Sequence, residues 1–255
     1  WFSVKYRCKM KILLLVPLLL IQLSCFGIGE IDTVLSRLDE VIDGREYYKE
    51  LKQSKIDDIR HEFLLKSEAD QSACLFDYYL HLSKAYQTYI FDSAFFYSNK
   101  LLETAHQNDH PDKLAMAKSE FANILITAGI FHEAMDTLKS IDLKNTSDRT
   151  KAEYYAALSR GYFDMESFSQ SQYYSSLYRK TGMDFFDSAL HWYPKNSWEY
   201  HSLQAHKLLK SEQSDLAIEV LNDLISNYDL NNDELAVQMM LLSFSHSLQN
   251  DPDKA

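Results

Sequence analysis

The chain has 255 residues, 46% hydrophobic and 25% charged, with a formal net charge of -11. That apolar share excludes intrinsic disorder, and an acidic field of this size excludes direct binding of a phosphate backbone by this segment. Only 6 Gly and 4 Pro are present, too few turn residues for many short strands, so long helices are predicted.

Residues 1–27 are predicted to be a signal peptide with upstream residues. From Met10 the sequence reads MKILLLVPLLLIQLSCFG: one Lys, an apolar run over 12–20 broken only by Pro17, then small residues. The run is shorter than the roughly 20 residues of a membrane-spanning helix, so export is expected. Removing 1–27 takes away Lys5, Arg7, Lys9 and Lys11 and no acid, which moves the net charge four units further, to -15. Gln22-Leu23-Ser24-Cys25 has the outline of a lipid-attachment box with Cys25 as the lipidated residue, although Gln22 stands where an aliphatic residue is expected. The alternative is ordinary cleavage after Gly27 or Gly29. Cys8 and Cys25 fall in or beside this region, leaving Cys74 as a lone thiol in an apolar run and no intramolecular disulfide in the mature chain.

Residues 28–70 are predicted to form a helical hairpin that caps a helical array. Ile31, Leu35, Leu38 and Ile42 follow helical spacing, Asp43-Gly44 interrupts, and Tyr48, Leu51, Ile56, Ile59 and Phe63 resume it on a strongly charged helix. A coiled-coil partner surface is the alternative for this stretch, over which the heptads are brief.

Residues 71–255 are predicted to be degenerate repeats of a helix pair, the last one incomplete. The clearest unit spans 118–141, with Phe121, Ala122 and Leu125 on a first helix, then Gly129, Phe131, Ala134, Leu138 and Ile141. This resembles the tetratricopeptide repeat, in which a small residue on the first helix admits the second, Gly-x-aromatic makes the turn, and Ala sits at the helix crossing. The frame recurs with Tyr155, Leu158, Ser159, Tyr162, Phe168, Ser171 and Tyr178, Ser171 taking the place of the crossing Ala. It recurs again with Ala205, Leu208, Ala217, Leu221 and Leu224, and more weakly with Tyr79, Leu82, Tyr86, Ala94 and Leu101. The crossing positions Ala94, Ala134, Ser171, Ala217 and Ala255 are 40, 37, 46 and 38 residues apart. The gap of 46 is assigned to an extra short helix over 183–193, ended by Pro194. The fold class is therefore all-α, a tetratricopeptide-like superhelix of antiparallel helix pairs, in which each pair buries its apolar face only against neighbours. Because 250–255 reads as the start of a further second helix, the natural protein is expected to continue, or another chain to cover this end.

No glycine-rich phosphate loop, His-Glu-x-x-His, Cys-x-x-Cys or Gly-x-Ser-x-Gly is present. No catalytic residue, metal ligand or cofactor is assigned, and binding rather than catalysis is predicted. In the repeat frame the ninth position of each first helix faces the inner wall, and it holds Asn123, Arg160 and His206, with Lys84 near the same place in the first copy. Such a polar stripe suits an extended peptide or other polar ligand, although solvated helix residues read the same way. Asn123 fits one position of the tetratricopeptide pattern that clamps a peptide carboxylate, but Ser119 stands where that pattern has Lys, so the activity is not carried over. Trp192 and Trp198 lie in an aromatic-rich run, 191–200, suited to stacking on sugars or proline-rich peptides, or simply to packing. The partner expected is a protein or peptide, with a glycan as the alternative, and membrane contact only through a lipid anchor or a later transmembrane helix.

Together with the export signal and the repeats, the stretch Leu35-Ser36-Arg37-Leu38-Asp39-Glu40-Val41-Ile42-Asp43-Gly44-Arg45-Glu46-Tyr47-Tyr48-Lys49 resembles a family of Bacteroidetes tetratricopeptide regulators. The resemblance implies an exported helical array followed, in full-length members, by a membrane helix, a coiled coil and a helix-turn-helix domain. It implies that this chain is the periplasmic sensory or scaffolding half of a transmembrane transcriptional regulator. The alternative is a surface lipoprotein that assists glycan or nutrient binding.

Overall fold

The computed structural model describes residues 43–107 and 110–249. The predicted signal segment with Cys25, the first arm of the predicted cap and the stretch 250–255 lie outside the described residues. Those described form ten helices and no strand. The chain divides into two compact units, Trp1–Asp58 and Ile59–Ala255, and α1 (Arg45–Leu64) carries the division.

In the second unit the helices alternate as first and second members of pairs: α2 (Glu68–Gln87) with α3 (Phe91–Gln107), α4 (Pro111–Thr127) with α5 (Phe131–Lys139), α6 (Asp148–Phe168) with α7 (Gln172–Trp192), and α8 (Trp198–Lys210) with α9 (Ser214–Asn227). A tenth helix, α10 (Asn232–Gln249), packs on α9 and α8 as the next first helix would. Their starts are written locally. The hydroxyls of Ser67, Ser147, Ser171 and Ser197 accept the backbone N–H three residues on, at the heads of α2, α6, α7 and α8. Pro111 opens α4 where its missing N–H costs nothing. Asn231 and Glu234 exchange side chain-to-backbone bonds of 2.9–3.1 Å as a capping box on α10.

The pairs are set by small residues at the crossings. Ala94, Ala134 and Ala217 are each the fourth residue of a second helix and are 0–1% exposed. Each donates its N–H to the residue just before the helix, Ile90, Ile130 and Gln213. In α7 the residue in this place is Ser175, half-buried, whose N–H bonds to Ser171 O at 2.8 Å. Ser171, predicted as the crossing residue, is instead the exposed N-cap of α7. It is a hydroxyl at the head of a helix, where a side-chain acceptor is worth more than a small volume. With Ser175 in its place the crossings fall at intervals of 40, 41 and 42 residues. The irregular predicted interval is an error of register. Nor is there a separate helix over 183–193: α7 runs unbroken through 21 residues to Trp192, since no Pro or capping residue interrupts it before Pro194.

The α6–α7 pair is the most tightly apposed. A Cβ on Gly182 would lie 2.9 Å from the Phe163 ring, and Ser159 Oγ donates to Gly182 O at 2.9 Å. A Cβ on Gly161 would lie 2.0 Å from Met135 Cε, so α6 also sits close against α5. Around these contacts Ala122, Leu125, Ile126, Leu138, Ala157 and Leu158 form one apolar cluster. A second cluster gathers Ala205, Leu209, Ala217, Leu221 and Leu241 in α8 to α10.

The turns from first to second helix use two chemistries. After α4, Gly129 takes φ 75°, its N–H bonds to Ile126 O and that of Ile130 bonds to Leu125 O, a Schellman closure. After α8 the same pair of bonds is made by Glu212 and Gln213 to Leu209 O and Leu208 O, with Glu212 at φ 61°. Glycine adopts this region freely, whereas a residue with a Cβ is strained there by about 1–2 kcal/mol. Nothing lies within 4 Å of a Cβ built on Gly129, so only the backbone resists substitution there. Gly129→Val is expected to lower unfolding free energy by about 1–2 kcal/mol and Glu212→Gly to raise it by about 0.5–1 kcal/mol. Urea denaturation of the two variants checks the opposite signs.

Candidate functional site

The first helices form a wall, with α2 against α4 and α4 against α6, and two of the four stripe residues, Lys84 and Arg160, act on one buried carboxyl. Glu120 on α4 is 6% exposed, and Ser83 Oγ on α2 donates to its Oε1 at 3.0 Å. Burial pushes the Glu120 carboxyl above the usual range, against the lowering pull of Lys84, the Ser83 bond and Arg160, while Glu153 adds to the rise. Lys84 is exposed on α2 and makes no ion pair with a described residue. Arg160 on α6 reaches back to α4, its Nη2 donating to Thr127 Oγ1 at 2.9 Å, while its Nε lies 3.7 Å from Asp164 on its own helix. Thr127 Oγ1 in turn donates to Asn123 O at 2.9 Å, so Arg160, Thr127 and Asn123 are linked in series across the gap.

His206 on α8 is half-buried, with its ring 6.3 Å from that of Phe186 on α7. Burial pushes its pKa down to about 4, and the positive charges of Lys210 and Arg160 act in the same direction. The imidazole is therefore neutral at physiological pH and serves as a hydrogen-bonding group rather than a cation. At the other end of the wall Arg149 pairs with Glu153 of its own helix at 3.1 Å and joins α6 to α8 through Glu199 at 3.4 Å.

The two tryptophans do not join this stripe. Trp192 ends α7, with Lys151 Nζ 4.3 Å from its ring centroid. It lines an open depression of about 340 Å³ with Tyr155, Asp187, Ser188 and His191. Trp198 is the half-buried first residue of α8 and lines neither this depression nor its neighbour of about 520 Å³, which lies between α7 and α8 and shares Asp187 and His191. Among the described residues no cluster of His, Cys, Asp and Glu could hold a metal ion, and no helix is long and apolar enough to cross a membrane. Cys74 is half-buried on α2 and lies 3.7 Å from Gln71 O. Glu120 has no signal in the sequence that separates it from 36 other acids; only the packing of α2 on α4 singles it out.

The sequence model of the SusR N-terminal TPR domain matches residues 42–255. The chain belongs to that family. The match covers every described helix, and the SusR-type TPR fold agrees with the observed superhelix of helix pairs. Tetratricopeptide arrays generally hold other proteins, and a SusR-type array is the helical repeat domain of a regulator. No curated protein and no solved structure matches the chain.

The Glu120 carboxyl provides a pH signature of the wall. Its folded pKa is raised, so the folded state binds the proton more tightly than the unfolded state. The stability this contributes is present below the ordinary carboxyl pKa of about 4.3 and is lost as pH rises from there through the raised value. Glu120→Gln keeps an acceptor for Ser83 and cannot ionise. Urea unfolding at pH 4.5 and pH 7 is expected to show a flatter pH dependence than wild type, with the variant gaining on wild type as pH rises to 7.

Proposed function

We propose that this chain is the exported, periplasmic binding half of a transmembrane transcriptional regulator, and that its first-helix wall holds a protein or peptide partner. The match to the SusR N-terminal TPR domain over 42–255 carries this reading. The wall supports it with Lys84, Asn123 and Arg160 on three consecutive first helices, an exposed ammonium, a half-buried amide and a guanidinium held in place by Thr127. His206 adds a neutral donor and acceptor on the fourth. One polar group per repeat matches the way an extended chain offers one side chain or peptide group per interval.

A second reading, a surface lipoprotein anchored at Cys25 that assists glycan or nutrient binding, draws on the depression walled by Tyr155 and Trp192. Aromatic faces beside Asp187 and His191 suit a ring-shaped polar ligand. The genomic sequence downstream of the codon for Ala255 separates the two. A hydrophobic segment followed by a basic helical domain is the expected result for the regulator, and an immediate stop codon would overturn it.

The wall has its own test. Lys84 and Asn123 bear on no packed core, so Lys84→Gln with Asn123→Ala is expected to leave the melting temperature within about 2 °C of wild type, the range of a neutral surface change. The same pair is expected to reduce partner capture by about tenfold, the loss of one or two charged or amide bonds. Cross-linking capture from a periplasmic extract measures it, and unaltered capture removes the wall from the reading.

A further inference from the structure

The junctions between successive helix pairs are not alike. From the first pair to the second, α4 packs on both α3 and α2, and from the second to the third, α6 packs on both α4 and α5. Beyond the fourth pair, α10 packs on both α9 and α8. At the remaining junction, from the α6–α7 pair to the α8–α9 pair, only α7 packs on α8, and α6 scarcely touches it. The apolar clusters on either side share no residue: one ends with Leu158 and the partly buried Phe185, and the other begins at Ala205.

Beside the ring contact of the buried Phe186 on α7 with His206 on α8, charge crosses this seam. Arg179 on α7, anchored within its own block by its Nε–H bond to Glu166 Oε1 on α6 at 2.8 Å, donates across the seam through Nη1 to Lys210 O at 2.9 Å, the carbonyl end of α8, and lies 4.0 Å from Glu212. Lys207 on α8 pairs with Asp187 on α7. Arg149 on α6 pairs with Glu199 on α8 at 3.4 Å. Lys210 Nζ stands 4.6 Å from the centroid of the Phe163 ring. Beside these bridges lies the open depression of about 520 Å³, bounded by α7, α8 and the turn after α8. Glu166 Oε2 is buried at the seam with no hydrogen-bond partner among the described residues.

We propose that the α7–α8 seam is a hinge between two blocks, α2–α7 and α8–α10, whose angle is held by the Arg149–Glu199 and Asp187–Lys207 bridges and by the bond of Arg179 to Lys210 O. Apolar layers are close-packed and resist sliding, so the three well-packed junctions hold their geometry. A seam of partly exposed ion pairs gives way to solvent and counterions at small cost, and hinge closure in proteins concentrates at such positions. The open depression supplies the volume into which the blocks close. The hinge is independent of what binds the wall.

The test uses the full chain with Cys8, Cys25 and Cys74 replaced by Ser and spin labels placed on exposed positions. Lys139→Cys on α5 with Asn222→Cys on α9 spans the seam, and Asp92→Cys on α3 with Lys139→Cys stays inside one block. Salt is raised from about 0.1 M to about 1 M, over which the screening length falls from about 10 Å to about 3 Å. The distance distribution across the seam is expected to broaden at least about twofold while the control pair holds its distance. The variant Arg149→Gln with Arg179→Gln and Lys207→Gln is expected to show the broad distribution already at low salt. A distribution across the seam that ignores both salt and the triple variant overturns the hinge. So does a control pair that broadens equally, since the whole array then loosens at once. Should the triple variant fail to fold, the salt series on the unaltered bridges decides alone.

Discussion

The closeness with which a second helix can cross its first is the constraint on which the rest depends. At the fourth residue of each second helix the two rods meet, and only Ala94, Ala134, Ser175 and Ala217 occupy that place. A leucine at any of them would force the rods apart or its own side chain out of a staggered rotamer, at about 1–3 kcal/mol. Ala122 and Ala205 do the same for the first helices, each 0% exposed and each seven residues before the left-handed residue of its turn. Two small contacts per pair fix the distance between helices, and the interval of 40–42 residues then repeats that geometry as a stack.

Once the first helices stand side by side, the electrostatics of their shared wall follow from spacing alone. Ser83 and Glu120 are 37 residues apart and come within 3.0 Å because α2 and α4 occupy neighbouring places in the stack. The same register brings Ser202 to 3.0 Å from Gln238 between α8 and α10, so a hydroxyl facing a carboxyl or amide oxygen recurs at two first-helix contacts. Burial raises the Glu120 carboxyl pKa against the pull of Lys84 and Arg160, and Arg160 is shared with Asp164.

Much of this fold is legible in the residues themselves. Gly129, Phe131, Ala134 and Leu138 read as turn, turn packing, crossing and core, and each is found in that role, because tight turns and close crossings tolerate few residue types. Ser171 misleads for a physical reason: a serine near a helix head serves equally as a small crossing residue or an N-cap, and only the hydrogen bond to the Tyr174 N–H decides. Glu212 is hidden because a left-handed residue is recognisable in sequence when it is Gly and not when it is Glu. Gly161 and Gly182 lie within helices and carry no turn signal, yet both mark where α6 is approached, by Met135 and in the contact of Phe163 with α7. Of the stripe, Lys84, Asn123 and Arg160 do gather around α4, as one position repeated on adjacent helices must. Trp192 and Trp198 part company because they end one helix and begin the next across Pro194.

The seam gives the wall a property that a uniformly packed stack would lack. Lys84, Asn123 and Arg160 stand on the α2–α7 block and His206 on the α8–α10 block, with Arg160 still close enough to lower the pKa of His206. If a partner extends along the wall, it bonds to both blocks at once. Its affinity then depends on the angle between them, and by the same coupling its binding biases that angle. A partner confined to α2–α6 would leave the angle untouched. Whether binding is transmitted along the array is therefore decided by how far the partner reaches toward α8, and only secondarily by how tightly it is held.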